Sequence, residues 1–150
     1  MTAGSPTRGP LATVGALVVG PSGRVLLIRT HKWRDRWGVP GGKIEYGETM
    51  ASALRREVRE ETALELDDIR WAPVQEAVQS PAFHRPAHFV LLNFVARSAS
   101  ERVRLGDEAQ AYVWVEPEEA LRMDLNEPTA VLVEHFLTHG FATAPLEHHA

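Results

Sequence analysis

The sequence predicts a mixed α/β or α+β fold in one domain, with strands interleaved with two or three helices. Three observations predict it. Short segments rich in β-branched and apolar residues are separated by turns bearing Gly and Pro, which is the pattern of strands. Segments of helical period stand between and after them, the first running to Glu61. No repeat, low-complexity tract or linker divides the 150 residues, and 44% hydrophobic content is enough for one real core.

The elements follow in order. Residues 1–10, MTAGSPTRGP, are polar and rich in Pro and Gly, and read as a flexible tail. LATVGALVVG (11–20) and RVLLIRT (24–30) read as strands around the turn GPSG, and together as a hairpin. HKWRDRWGVPGG (31–42) is polar, aromatic and broken by Pro and Gly, so it is a loop. KIEYGET leads into a helix of about three turns. Strands are expected near 68–79, 87–97, 102–105 and 111–117, and helices over EEALRM and TAVLVEHFLTH. The domain is expected to span 11–140, with a C-terminal tail at 141–150.

Composition excludes several classes of function. Net charge is −4 with no basic run, which argues against extended binding to nucleic acid. There are no cysteines, so disulfides and thiolate metal sites are excluded. The N-terminus lacks the apolar core of a signal peptide, and no apolar run reaches membrane-spanning length. A cytoplasmic location fits these features.

The helix over 49–62 breaks its own pattern. On a wheel, Met50, Ala53, Leu54 and Val58 share one side, opposite Ser52, Arg55 and Arg59. Glu57 follows Leu54 by three residues and Glu61 follows it by seven, so both fall on the apolar side, with Glu60 beside them. An unpaired buried carboxylate costs several kcal/mol, and a helix C-terminus repels each acid by roughly 0.3–1 kcal/mol. Arg56 is nearby but cannot neutralise three acids. All-oxygen ligands suit a divalent cation such as Mg²⁺ or Mn²⁺. Read from the wheel alone, a solvated helix end with i,i+4 ion pairs is the other account.

The flanking residues add to this. GKIEYGETMASALRREVREETAL, from Gly42 to Leu64, resembles the signature of the Nudix (MutT-like) hydrolases at Gly42, Glu48, Arg56, Glu57, Val58, Glu60, Glu61 and Leu64. One position departs from it: Ala63 stands where the family pattern has Gly, which suggests a different helix exit. A Trp-Gly-x-Pro-Gly-Gly lead-in (Trp37 to Gly42) and a later acid before a Trp-containing strand are also similar, so the likeness covers roughly 11–138. The resemblance implies an α/β/α sandwich around a mixed sheet.

It also implies roles. Glu57, Glu60 and Glu61 are the implied metal ligands, joined by the Gly41 carbonyl and Glu108. The general base is Glu57 or Glu108, with the choice left open. Arg56 and Glu48 are implied to pair and orient the glutamates. Lys32 and Lys43 are placed to meet substrate phosphates, while Arg34 and Arg36 read better as solvated surface. Trp33, Phe83 and His84 are candidates to stack on a nucleobase, and Trp37 reads as packing. His135 and His139 lack the glutamate of a zinc motif, and Pro86 disfavours a helix joining His84 to His88.

The implied reaction is hydrolysis of a phosphoanhydride in a nucleoside diphosphate derivative, assisted by about two or three Mg²⁺ ions, with Mn²⁺ as a substitute. The foremost substrate is a nucleoside triphosphate, giving the monophosphate and pyrophosphate. ADP-ribose or a sugar nucleotide is the alternative, hinted at by Pro81, 17 residues past Leu64. A binding or interaction domain without turnover is the contrasting class. The expected partner is a small nucleotide, and a homodimer is compatible with the family.

Overall fold

The computed structural model describes residues 9–147, so most of the expected N-terminal tail lies outside the described residues. Strands β1 (Leu11–Val19) and β2 (Val25–Thr30) are followed by a single 3₁₀ turn at His31–Trp33 and two short strands, β3 (Trp37–Gly38) and β4 (Gly41–Lys43). Helix α1 (Met50–Thr62) comes next, then β5 (Leu66–Trp71), β6 (Gln75–Val78), β7 (His88–Ser98) and β8 (Ala109–Val115). Helices α2 (Pro117–Ala120) and α3 (Glu127–His139) close the order.

One mixed sheet organises the chain. β1 lies parallel to β7 along its whole length, from Leu11 opposite Phe89 to Val19 opposite Arg97. β4 pairs antiparallel with β1, β8 and β3 with β2, and β5 and β6 with successive stretches of β7. The central strands are apolar on both faces because both faces are covered. Val14, Ala16, Val18, Leu26 and Ile28 point to one side and pack with Ala53, Leu54 and Val58 of α1. Leu17, Val19, Val25 and Leu27 point to the other and pack with Ala120, Leu132 and Val133 of α2 and α3. The period of two along the strands thus builds two cores, and the layers are helix, sheet, helix. The expected mixed fold is the observed one.

Four expectations are corrected. β1 and β2 join through the turn at Gly20–Arg24 but pair only at Val19 and Val25; they then diverge, because β4 takes the edge of β1 and β8 that of β2. The strand expected over 68–79 is two strands broken around Pro73, which has no amide hydrogen for the ladder. Residues 102–105 form no strand. Their segment runs across the end of α1, where the amides of Arg104 and Gly106 donate to the carbonyls of Thr62 and Glu61, each at 3.0 Å. These are terminal carbonyls that the helix cannot satisfy itself. Finally, the segment expected as a C-terminal tail lies along β5 as far as residue 147. There the amides of Trp71 and Leu146 donate to Ala144 and Ile69, and Leu146 packs into the α1-side core. Residues 148–150 lie outside the described residues.

Helix α1 begins as its sequence dictates. The Thr49 side chain caps it by accepting from the Ser52 amide at 3.1 Å. It ends on Ala63 with φ 64° and ψ 14°, the left-handed conformation that favours Gly. The exit is therefore the ordinary one, and Ala63 bears a cost of roughly 1 kcal/mol for adopting it.

Candidate active site

Three converging pieces of backbone build the site. β4 lies on β1 and presents Gly41 and Gly42 to the last two turns of α1. The segment 104–108, tied to the end of α1, brings Glu108 alongside. The turn after β2 supplies Lys32 and Trp33. Together with the 79–87 loop they surround a cavity of about 770 Å³. Gly41, Glu57, Glu60, Glu61 and Glu108 all line it. So do Lys32, Lys43, Trp33, Phe83 and His84.

Arg56 and Glu48 stand behind the glutamates. The guanidinium grips Glu48 with two prongs, Nε to Oε2 at 2.7 Å and Nη2 to Oε1 at 2.8 Å. Its Nη1 donates to Glu57 at 2.9 Å and to Glu60 at 3.4 Å, and Nη2 donates to the Lys43 carbonyl at 3.1 Å. The planar fork of arginine allows this sharing, which a lysine ammonium would not reproduce. Arg56 and the Glu45 amide hold the Glu48 carboxyl down to about 2, and the same pair raises Arg56.

The two inward glutamates behave differently. Burial pushes Glu61 up to about 8; the Gly41 amide, donating at 2.9 Å, opposes this, while the neighbouring charge of Glu57 adds to it. Burial also raises Glu57, against the pull of Arg56. Glu60 is exposed, and Glu108 pairs with Lys32 at 2.7 Å. Among the described residues no three acidic or imidazole groups already converge on one point as a cation cage. Glu57 is bonded to Arg56, Glu108 to Lys32 and Glu61 to the Gly41 amide.

A divalent cation nevertheless fits this donor set. The ligands are all hard oxygens, and among the described residues the Glu61 carboxylate, raised by its burial, is hydrogen-bonded by the Gly41 amide and paired with no cation. Glu57, Glu60, Glu61, Glu108 and the Gly41 carbonyl are the groups that would hold it.

Aromatic and amide side chains line another part of the cavity wall. Trp33 meets Phe83 edge-on at 5.0 Å, and Phe83 meets Phe89 at 4.9 Å and His84 at 4.6 Å. The sequence analysis missed four lining residues here and nearby, Asn93, Asn126, Arg85 and Gly106. Asn93 had a signal, since it is the one polar residue within the apolar run FVLLNFVA. It is buried, and its amide donates to the Pro73 carbonyl at 3.0 Å. Asn126 had another, as a helix cap before Pro128, and its Oδ1 accepts from the Thr129 amide. His135 and His139 stack on α3 away from this cavity.

The NUDIX domain model matches residues 9–136. The nucleoside triphosphatase NudI of Escherichia coli (strain K12) is 33% identical over 105 residues, which cover 63% of this chain and 71% of that protein. The crystal structure of a MutT NUDIX hydrolase from Burkholderia pseudomallei superposes with a TM-score of 0.73 at 27% identity, covering 85% of this chain and 98% of the other. That of a MutT protein from Methanosarcina mazei Go1 does so with a TM-score of 0.69 at 25% identity, covering 89% and 97%.

Proposed function

The chain belongs to the NUDIX family, and from that premise we propose that it hydrolyses a nucleoside triphosphate to the monophosphate and pyrophosphate with a divalent cation, Mg²⁺ foremost. One observation carries the reading. One cavity is lined by Glu57, Glu60, Glu61 and Glu108, by Lys32 and Lys43, and by an aromatic and amide wall of Trp33, Phe83, His84, Asn93 and Asn126, which suits a polyphosphate joined to a base. The similarity to a protein named as a nucleoside triphosphatase supports the same substrate class.

When bound, the cation supplies charge neutralisation of the polyphosphate and activation of phosphorus toward attack. The chain does the rest. Lys32 and Lys43 contact phosphate oxygens. Trp33, Phe83 and His84 hold the base, which fixes the distance to the acids. Arg56, braced by Glu48, keeps Glu57 and Glu60 turned toward the cavity. A water oxygen forms a bond to phosphorus, the anhydride P–O bond breaks, and the leaving phosphate takes the electron pair. The proton of the water passes to a carboxylate. Glu57, held by Arg56, and Glu108, which is released when Lys32 moves to a phosphate, are the two candidate acceptors.

The test is purified protein with Mg²⁺ and a panel of nucleoside triphosphates, ADP-ribose, sugar nucleotides and dinucleoside polyphosphates. Release of pyrophosphate from a triphosphate is expected. Preference for ADP-ribose would move the substrate assignment, and no turnover of any would favour a binding domain. Glu60→Gln is expected to lower kcat at least about 100-fold with an unchanged fold by circular dichroism. Near-normal turnover would remove Glu60 from its role.

A further inference from the structure

The cavity wall carries six carboxylates and three fixed cations, Lys32, Lys43 and Arg85. Of these cations, Lys32 alone is tied to a cavity acid among the described residues. Its ammonium lies 2.7 Å from Oε2 of Glu108, with the two side chains 47% and 61% exposed, so the pair sits at the mouth.

The backbone of Lys32, by contrast, is fixed. Its carbonyl accepts the His84 amide at 2.8 Å. The next residue, Trp33, packs on Phe83, and Arg34 Nε donates to the Pro81 carbonyl at 2.7 Å. Only the four-carbon stem and its compact ammonium are free to swing, and a solvent-exposed ion pair of this kind is weak and easily exchanged. A lysine so anchored reaches either the acids or a group lying between them and the aromatic wall.

We propose that Lys32 is an exchangeable counter-ion. It neutralises Glu108 before a divalent cation enters, and it transfers to a phosphate oxygen of the nucleotide once a cation takes that carboxylate. The inference rests on the cation and nucleotide reading above. It makes the cation and the ammonium competitors for the same carboxylate, while both favour the substrate. Loss of the lysine charge then has opposite effects on the two ligands. A lysine that merely bound phosphate would change only the nucleotide.

The experiment is titration of the whole protein with Mn²⁺, without nucleotide, followed by electron paramagnetic resonance, in wild type, Lys32→Gln and Lys32→Arg. Steady-state kinetics with Mg²⁺ and the preferred nucleotide accompany it. K32Q is expected to bind Mn²⁺ about three- to fivefold more tightly, the range of a released surface ion pair, and to raise KM with little change in kcat. K32R, which keeps the charge, is expected to bind Mn²⁺ as wild type does. Mn²⁺ affinity in K32Q equal to or weaker than wild type overturns the proposal, and thermal unfolding checks that K32Q is folded. A wild type that takes up no Mn²⁺ overturns the proposed function itself, so the two failures are distinguishable.

Discussion

At the scale of single residues, Arg56 is the hub. One guanidinium joins the loop acid Glu48, two cavity acids and the carbonyl of Lys43. Its effect on Glu48 has a measurable consequence. The folded-state value, about 2, lies below the roughly 4.3 of a free glutamate. The stabilisation from this pair is therefore complete above the unfolded value and is lost as pH falls through about 2. Wild type is expected to exceed Glu48→Gln in urea midpoint by a margin that is widest above about pH 4.5 and closes toward pH 2. A margin independent of pH would show that the pair does not carry the difference. The pairing of these two residues was readable from the motif, because both lie in it. Glu61 was readable too, by its place seven residues after Leu54. What Ala63 does was not: its departure from the motif suggested a changed exit, yet Ala63 adopts the left-handed backbone that Gly would.

At the scale of elements, the short strand β4 explains why two adjacent glycines are needed for different reasons. A Cβ on Gly41 would overlap the Val14 carbonyl and the Gly15 Cα, which are rigid backbone in the neighbouring strand. A Cβ on Gly42 would instead overlap the carboxylate of Glu57, the far end of a side chain that can move. Gly41→Ala is thus expected to destabilise the fold by about 1–3 kcal/mol or more, as overpacking does. Gly42→Ala is expected to keep most of its stability while losing turnover, because the displaced Glu57 leaves Arg56 and the cavity. Chemical denaturation together with kcat measurements separates the two, and equal stability losses would contradict the distinction. The same element scale explains the failed strand at 102–105. Its alternation resembles a strand, but the chain there satisfies the carbonyls at the end of α1, and this positions Gly106 to Glu108.

At the scale of the whole molecule, the cavity lies where the sheet, the end of α1 and two loops meet, so filling it couples to global stability. A ligand that binds only the folded state stabilises it by about 2.7 kcal/mol at a hundredfold excess over its Kd. Mg²⁺ is expected to raise the Tm of wild type over that of protein in chelator, and to do so much less in Glu60→Gln. An equal rise in both would assign the effect to some other site. None of the described helices is long and apolar enough to cross a membrane. In the C-terminal segment, folded along β5 to residue 147, the partly buried Leu146 packs against the core, and Arg55 of α1 pairs with Glu147.

The sequence by itself determined the helix-and-strand alternation, the three glutamates on one flank of α1 and the loop that leads into it. Each is a local pattern, set by a period of two or 3.6 residues or by a motif contained within 23 positions. Only the tertiary structure decided which distant groups meet. Lys32 and Glu108 are 76 positions apart and touch at 2.7 Å, and Asn93 reaches the cavity only because β7 runs parallel to β1. Such contacts follow from strand order and from the segment docked at the end of α1, and neither leaves a periodic trace along the chain.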